Sequence, residues 1–136
     1  MVTPRPDTDL RARVVVADDD TEFRRLLAWA LRRDGHDVIE IADGSDLLDF
    51  VGASLSRPDG PLPADLVISD VRMPGYNGLD VLASLRDADW STPVILITAF
   101  GNTTTHDEGQ RLGAVAVLDK PFDVDELRAL VRSILR

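Results

Sequence analysis

The sequence predicts a parallel α/β sheet covered by helices on both faces, a three-layer α/β/α fold. Three observations predict it. Short apolar runs alternate five times with segments whose apolar residues recur at helical spacing. Several of those runs are apolar on both faces, as buried parallel strands are, rather than alternating. The chain has 136 residues, 44% of them hydrophobic, which is one ordinary domain with enough apolar material for a core. Consecutive parallel strands joined by helices need right-handed crossovers.

The elements follow in order. Arg13 to Ala17 (RVVVA) is a β-branched run ending in Asp18-Asp19-Asp20 and reads as a central strand. Phe23, Leu26, Leu27, Ala30 and Leu31 mark the first helix, capped by Asp20 or Thr21 and ended at Gly35. Asp37 to Ile41 alternates, as a strand nearer an edge does, and Leu47, Leu48 and Val51 carry a second helix after Asp43-Gly44. Pro58, Gly60, Pro61 and Pro63 make Ser54 to Ala64 a loop, long for an α/β connection. Leu66 to Ser69 is a third strand ending at Asp70, followed by a turn from Met73 to Gly78 and a helix through Leu79, Val81, Leu82 and Leu85. Pro93 to Ile97 is a fourth strand ending at Thr98. Gly101 to Thr105 reads as a polar loop before a weak helix to about Leu112. Ala114 to Leu118 is the fifth strand, followed by Asp119, Lys120 and Pro121. The last helix starts at Asp123 or Asp125 and presents Leu127, Leu130, Val131 and Ile134. Residues 1–12, with Pro4, Pro6, Asp7 and Asp9, read as a flexible leader, and residues 13–136 as the domain.

Composition excludes several classes. The 24 acidic and 15 basic residues give a net charge of −9, which repels nucleic acid phosphates and anionic lipid. There is no cysteine, so disulfide frameworks, thiolate metal sites and thiol catalysis are excluded. The leader lacks a signal-peptide apolar run, and no stretch approaches the roughly 20 apolar residues of a membrane span. A cytoplasmic location is the expectation.

Ligands of open parallel sheets sit beyond the carboxyl ends of the strands. Beyond the first strand stand Asp18, Asp19 and Asp20, at the end of the third Asp70, of the fourth Thr98, and past the fifth Lys120. Clustered carboxylates repel one another, and a hard cation such as Mg²⁺ relieves that repulsion. Asp18, Asp19 and Asp70 total three negative charges, which Mg²⁺ and Lys120 balance. Such a site is suited to hold a carboxylate ionised and receive a phosphoryl group on it. Taken singly, each residue also has an ordinary reading: a charged turn, a strand end, a structural hydroxyl, a solvated lysine. Lys120 is nevertheless the only lysine in the chain; the other 14 basic residues are arginine.

These residues fall in VVVADDD (Val14–Asp20), LVISDVRMPGYNG (Leu66–Gly78), VILITA (Val94–Ala99) and DKPF (Asp119–Phe122). In that order and spacing the chain resembles the receiver domain of two-component response regulators, chemotaxis receivers included. The resemblance implies a flavodoxin-like (βα)5 fold with strand order 2-1-3-4-5. It implies that Asp70 accepts a phosphoryl group from a histidine kinase or phosphotransfer protein. Asp18, Asp19, Asp70 and the backbone carbonyl of Arg72 would hold Mg²⁺. Thr98 and Lys120 would bind the phosphoryl group, with Lys120–Pro121 in the cis form. The domain would catalyse its own phosphorylation and dephosphorylation without being a metabolic enzyme. Arg72 and Phe100 would tune water access. The surface of the fourth helix, fifth strand and fifth helix would shift to regulate an output partner, with a homodimer left open. This domain alone would bind neither nucleic acid nor membrane.

Two positions depart from the family pattern. Val117 stands where an aromatic switch residue is common, and Asn77 replaces an Asp in the turn after Asp70. Three alternatives stand beside this reading. A degenerate receiver would serve only as a protein-binding module. A haloacid dehalogenase-type phosphatase would need Thr or Val where Glu22 stands. A flavin mononucleotide carrier would face three aspartates where its phosphate belongs.

Overall fold

The alternation of side chains along each strand sorts the core into two layers. In the computed structural model, which describes residues 12–55, 64–75, 77–88, 91–99 and 103–135, five parallel strands form one sheet. They are β1 (Arg13–Ala17), β2 (Asp37–Ile41), β3 (Leu66–Asp70), β4 (Val94–Thr98) and β5 (Ala116–Asp119). The helices are α1 (Thr21–Arg33), α2 (Gly44–Leu55), α3 (Gly78–Asp87), α4 (Thr103–Arg111) and α5 (Val124–Ile134). Strand order is β2-β1-β3-β4-β5, as the resemblance implies.

Val14, Val16, Leu66, Ile68, Ile95 and Ile97 face Leu27 and Leu31 of α1 and Leu127 and Val131 of α5. Their alternates Val15, Ala17, Val67 and Leu96 face Leu47 and Val51 of α2 and Val81, Leu82 and Leu85 of α3. The central strands β3 and β4 are buried along their whole length, whereas β2 and β5 are edges and only partly covered. Full burial of such a Val, Leu or Ile contributes about 1.5–3 kcal/mol, so the sheet is a rigid platform for whatever stands at its ends.

Local chemistry sets the element boundaries. Asp20 is the N-cap of α1, its carboxylate accepting from the Phe23 N–H at 3.2 Å, and Gly35 follows the helix with a φ of +93°. Asp43 does more than turn the chain, since its Oδ1 accepts from the Asp46 N–H at 2.8 Å at the start of α2. Asn77 forms a reciprocal capping box with Asp80, so its replacement of Asp leaves a competent cap for α3.

Four expectations are corrected. β4 begins at Val94, because Pro93 has no N–H and contributes only its carbonyl, to Val67. β5 begins at Ala116 rather than Ala114, because the Ala114 N–H is used by the Gly109 carbonyl to close α4. α4 begins at Thr103, inside the segment read as a loop, and ends at Arg111. Ser54 and Leu55 belong to the backbone of α2 rather than to the following loop. The rest of that loop up to 63, the leader through Arg11, and Phe100 lie outside the described residues.

Candidate functional site

The carboxyl ends of β1, β3, β4 and β5 converge, and they bring Asp18, Asp19, Asp70, Thr98 and Lys120 to one edge of the sheet. One carboxylate oxygen from each of Asp18, Asp19 and Asp70 lies within 4.8 Å of the others. Asp18 and Asp70 are buried and Asp19 is exposed, so the cluster opens to solvent on one side.

Backbone groups fix the two buried acids. The Asp18 N–H donates to the Ile41 carbonyl at 3.0 Å, which carries the chain past the end of β2. Asp18 Oδ1 accepts from the Asp20 N–H at 2.9 Å, and the Asp18 carbonyl accepts from Arg24 Nη1 at 2.8 Å. Asp70 Oδ1 accepts from the Arg72 N–H at 2.9 Å. The remaining oxygens face Lys120: Nζ donates to Asp18 Oδ2 at 3.0 Å and to Asp70 Oδ2 at 3.1 Å. Lys120 is thus the common partner of two acids that lie 102 and 50 residues away in sequence.

Burial, and then the Asp70 carboxylate, push the Asp18 carboxyl above its usual range, against the pull of the Asp20 N–H and the Lys120 ammonium. Burial also works against the charge of Lys120, but its hydrogen bonds to Asp18 and Asp70 outweigh that and raise its pKa. One ammonium does not balance three carboxylates. The two uncompensated charges, on hard oxygen donors close together and open to water on one side, fit a divalent cation such as Mg²⁺.

Thr98 is buried at the end of β4, where it is the Cα partner of Asp119. Its carbonyl accepts from the Lys120 N–H at 2.8 Å, so the two residues are joined through the backbone. The Lys120–Pro121 bond is cis.

The family model described as the response regulator receiver domain matches residues 14–132. The chain belongs to that family. Among curated relatives, this receiver domain is 40% identical over 124 residues to the transcriptional regulatory protein CpxR of Escherichia coli (strain K12), covering 91% of this chain. It spans 49% of the length of CpxR. It is 32% identical to the sporulation initiation phosphotransferase F of Bacillus subtilis (strain 168), covering 93% of this chain and 95% of that protein. Among solved structures, the receiver domain of the Francisella response regulator 1452 superposes with a TM-score of 0.77 at 29% identity, covering 92% of this chain and 97% of that one. The Vibrio cholerae chemotaxis protein CheY4 gives 0.73 at 25%, covering 91% and 98%. The phosphatase and flavin-carrier readings are not favoured.

Four features were missed in the sequence. Arg24 and the Asp20 N–H orient Asp18, and the ring of Phe23 lies 4.3 Å from Lys120 Nζ. His106 Nε2 lies 3.0 Å from Asp119 Oδ1, tying α4 to the end of β5. The spacing of Phe23 on an apolar helix stripe pointed only to core. Val117, in the switch-aromatic position, lies under α4: a Cβ on Gly109 would stand 2.8 Å from Val117 Cγ2. Glycine at that point lets α4 approach the sheet. Among the described residues no helix is long and apolar enough to cross a membrane.

Proposed function

We propose that this receiver domain is a phosphorylation switch in which Asp70 takes a phosphoryl group from the phosphohistidine of a histidine kinase or phosphotransfer protein. The observation that carries this reading is the single ammonium of Lys120 shared by two buried carboxylates in a cluster of three. A carboxylate oxygen of Asp70 attacks phosphorus, the P–N bond breaks, and the imidazole nitrogen keeps the electron pair. Asp18, Asp19, Asp70 and the Arg72 carbonyl would hold Mg²⁺, which supplies positive charge to the acids and the incoming phosphoryl oxygens.

The remaining steps belong to the chain itself. Lys120 exchanges Asp70 Oδ2 for a phosphoryl oxygen, and the Thr98 hydroxyl donates a second hydrogen bond to that group. The phosphoryl group adds about −1.5 to −2 charge at neutral pH, which both residues then meet. Because the Lys120 N–H is bonded to the Thr98 carbonyl, movement at either residue pulls the ends of β4 and β5 together. The α4–β5–α5 surface shifts and exposes a site for an output partner in the cytoplasm. Without a ring at position 117, that shift passes through the packing of Val117 against Gly109. Water cleaves the acyl phosphate and resets the switch, with Arg72 and Phe100 governing its access.

Incubation with Mg²⁺ and acetyl phosphate, read by intact mass, tests the central claim. The wild-type chain should gain one phosphoryl group and Asp70→Asn none. No adduct on the wild type, or an equal adduct on Asp70→Asn, overturns it. An adduct lost in Asp18→Asn but kept in Asp70→Asn would point to the phosphatase chemistry instead.

A further inference from the structure

We infer that Phe23 is a positioning residue for Lys120, holding its ammonium over Asp18 and Asp70 through the face of its ring; this rests on the phosphoacceptor reading above. Helical spacing places Phe23 on the apolar stripe of α1, yet it is only partly buried, at the rim of the layer beneath α1 and α5. Its ring centroid lies 4.3 Å from Lys120 Nζ, inside the roughly 6 Å reach of a cation–π attraction.

The value of a ring here follows from donor counting. An ammonium has three N–H donors, and Asp18 and Asp70 accept from this one. A ring face attracts the charge through its quadrupole, so it restrains the ammonium without competing for the oxygen contacts. Lysine is a point charge on a flexible four-carbon stem. When a phosphoryl group arrives on Asp70, Nζ must leave Oδ2 for a phosphoryl oxygen, and a ring at its back confines it to a short pivot.

The ring is itself held from both loops of the site. The Phe23 N–H is bonded to the capping Asp20, directly after the acidic pair. Phe122, two residues beyond Lys120, meets the Phe23 ring edge to face, with centroids 5.6 Å apart and planes at 82°. Asp18–Asp20 and Lys120–Phe122 therefore clamp the same aromatic pair.

Because Lys120 is the only lysine, selective isotope labelling of lysine gives a single set of side-chain signals. In the wild type the Lys120 Hε protons should be displaced upfield by the ring. Phe23→Leu should abolish that displacement and slow phosphorylation by acetyl phosphate roughly 2- to 30-fold, the range set by the strength of a cation–π contact. Phe23→Tyr should restore the displacement and most of the rate. Ordinary Hε positions in the folded wild type, or a Phe23→Leu variant that phosphorylates at the wild-type rate, overturn the inference. If Phe23→Leu fails to fold, the wild-type and Phe23→Tyr signals decide it alone. A wild type that shows the displacement but takes no phosphoryl group sinks the acceptor reading and leaves the Phe23–Lys120 contact standing.

Discussion

At the amino end of the sheet, Arg86 reaches from the last turn of α3 to three backbone carbonyls: Leu112 at 3.2 Å, Thr92 at 3.1 Å and Gly113 at 3.1 Å. On the opposite face, Arg128 of α5 grips Asp34 at the end of α1 with a fork, Nη2 to Oδ1 at 2.6 Å and Nε to Oδ2 at 2.9 Å. Arg86 finds three carbonyls there and Arg128 a matched carboxylate, and the hydrogen bonds to Arg128 hold the Asp34 carboxyl below the usual range. At the carboxyl end the acids outnumber the cation, and the Asp18 carboxyl is pushed the opposite way. The same residue types thus do two jobs. At one end arginines tie α5 to α1 and α3 to the turns before β4 and β5, and at the other three acids share one ammonium. The contrast predicts that damage at the amino end costs stability and spares chemistry, while damage at the carboxyl end does the reverse.

The largest effect should come from Arg86→Ala. It strips the α4–β5 turn and the entry to β4 of three charge-assisted hydrogen bonds. The released carbonyls can recover water, so the expected cost is about 2–3 kcal/mol in urea or thermal unfolding. Below its melting transition the variant should still be phosphorylated by acetyl phosphate at a rate near wild type. A variant that keeps its stability, or loses phosphorylation while folded, breaks the division between the two ends.

The two ends also differ in how legible they are. β1, β3 and β4 could be read because their apolar runs are buried on both faces, and Asp70 and Thr98 stand where those runs stop. The acid cluster followed from the topological rule that strand ends of a parallel sheet share a crevice. The exact contact was not legible: the sequence placed Lys120 in the same crevice, and only the folded sheet shows its ammonium shared between Asp18 and Asp70. The start of β5 was misplaced because Ala114 is as apolar as its neighbours, while the use of its N–H by Gly109 leaves no trace in composition. Phe23 was hidden for a similar reason: helical spacing reports that a residue faces inward, not that a cation sits at its rim. The amino-end clasps were invisible because arginine targets there are backbone carbonyls or an aspartate 94 residues distant.

A smaller effect should follow from filling or relieving the acid cluster. Mg²⁺ at ten times its dissociation constant should stabilise the folded chain by about 1.4 kcal/mol, since it binds the folded state. In metal-free buffer, Asp18→Asn should raise Tm, because the fold already disfavours the charged form of Asp18 through burial and the Asp70 carboxylate. The same variant should lose most of the Mg²⁺ stabilisation. Differential scanning fluorimetry with and without Mg²⁺ separates these outcomes. A destabilised Asp18→Asn variant would show that the bond to Lys120 outweighs the repulsion, and the carboxyl end would then be no less saturated than the amino end.

The smallest effect concerns acid. Asp34 is held below its ordinary 3.8 in the folded chain, so its pairing contributes stability that is fully present above that value. It is lost as pH falls below 3.8 and through the folded pKa. His36, two residues on, is pushed below its ordinary 6.5 by burial, and its Nε2 has no hydrogen-bond partner among the described residues. It is therefore neutral in the fold over a range where the unfolded chain protonates it. Its contribution is present above 6.5 and begins to fall below that pH. Stability should thus decline in two separate steps on acidification, the first starting below 6.5 and the second below 3.8. Asp34→Asn should lower Tm by a few degrees at pH 7 and remove the second step. It should also deepen the first, since the Asp34 charge now supports protonation of His36. Denaturation curves across pH 3 to 8 measure all three changes. A second step that survives in Asp34→Asn would assign the acid sensitivity to other carboxylates and dissolve the contrast between a saturated amino end and a strained carboxyl end.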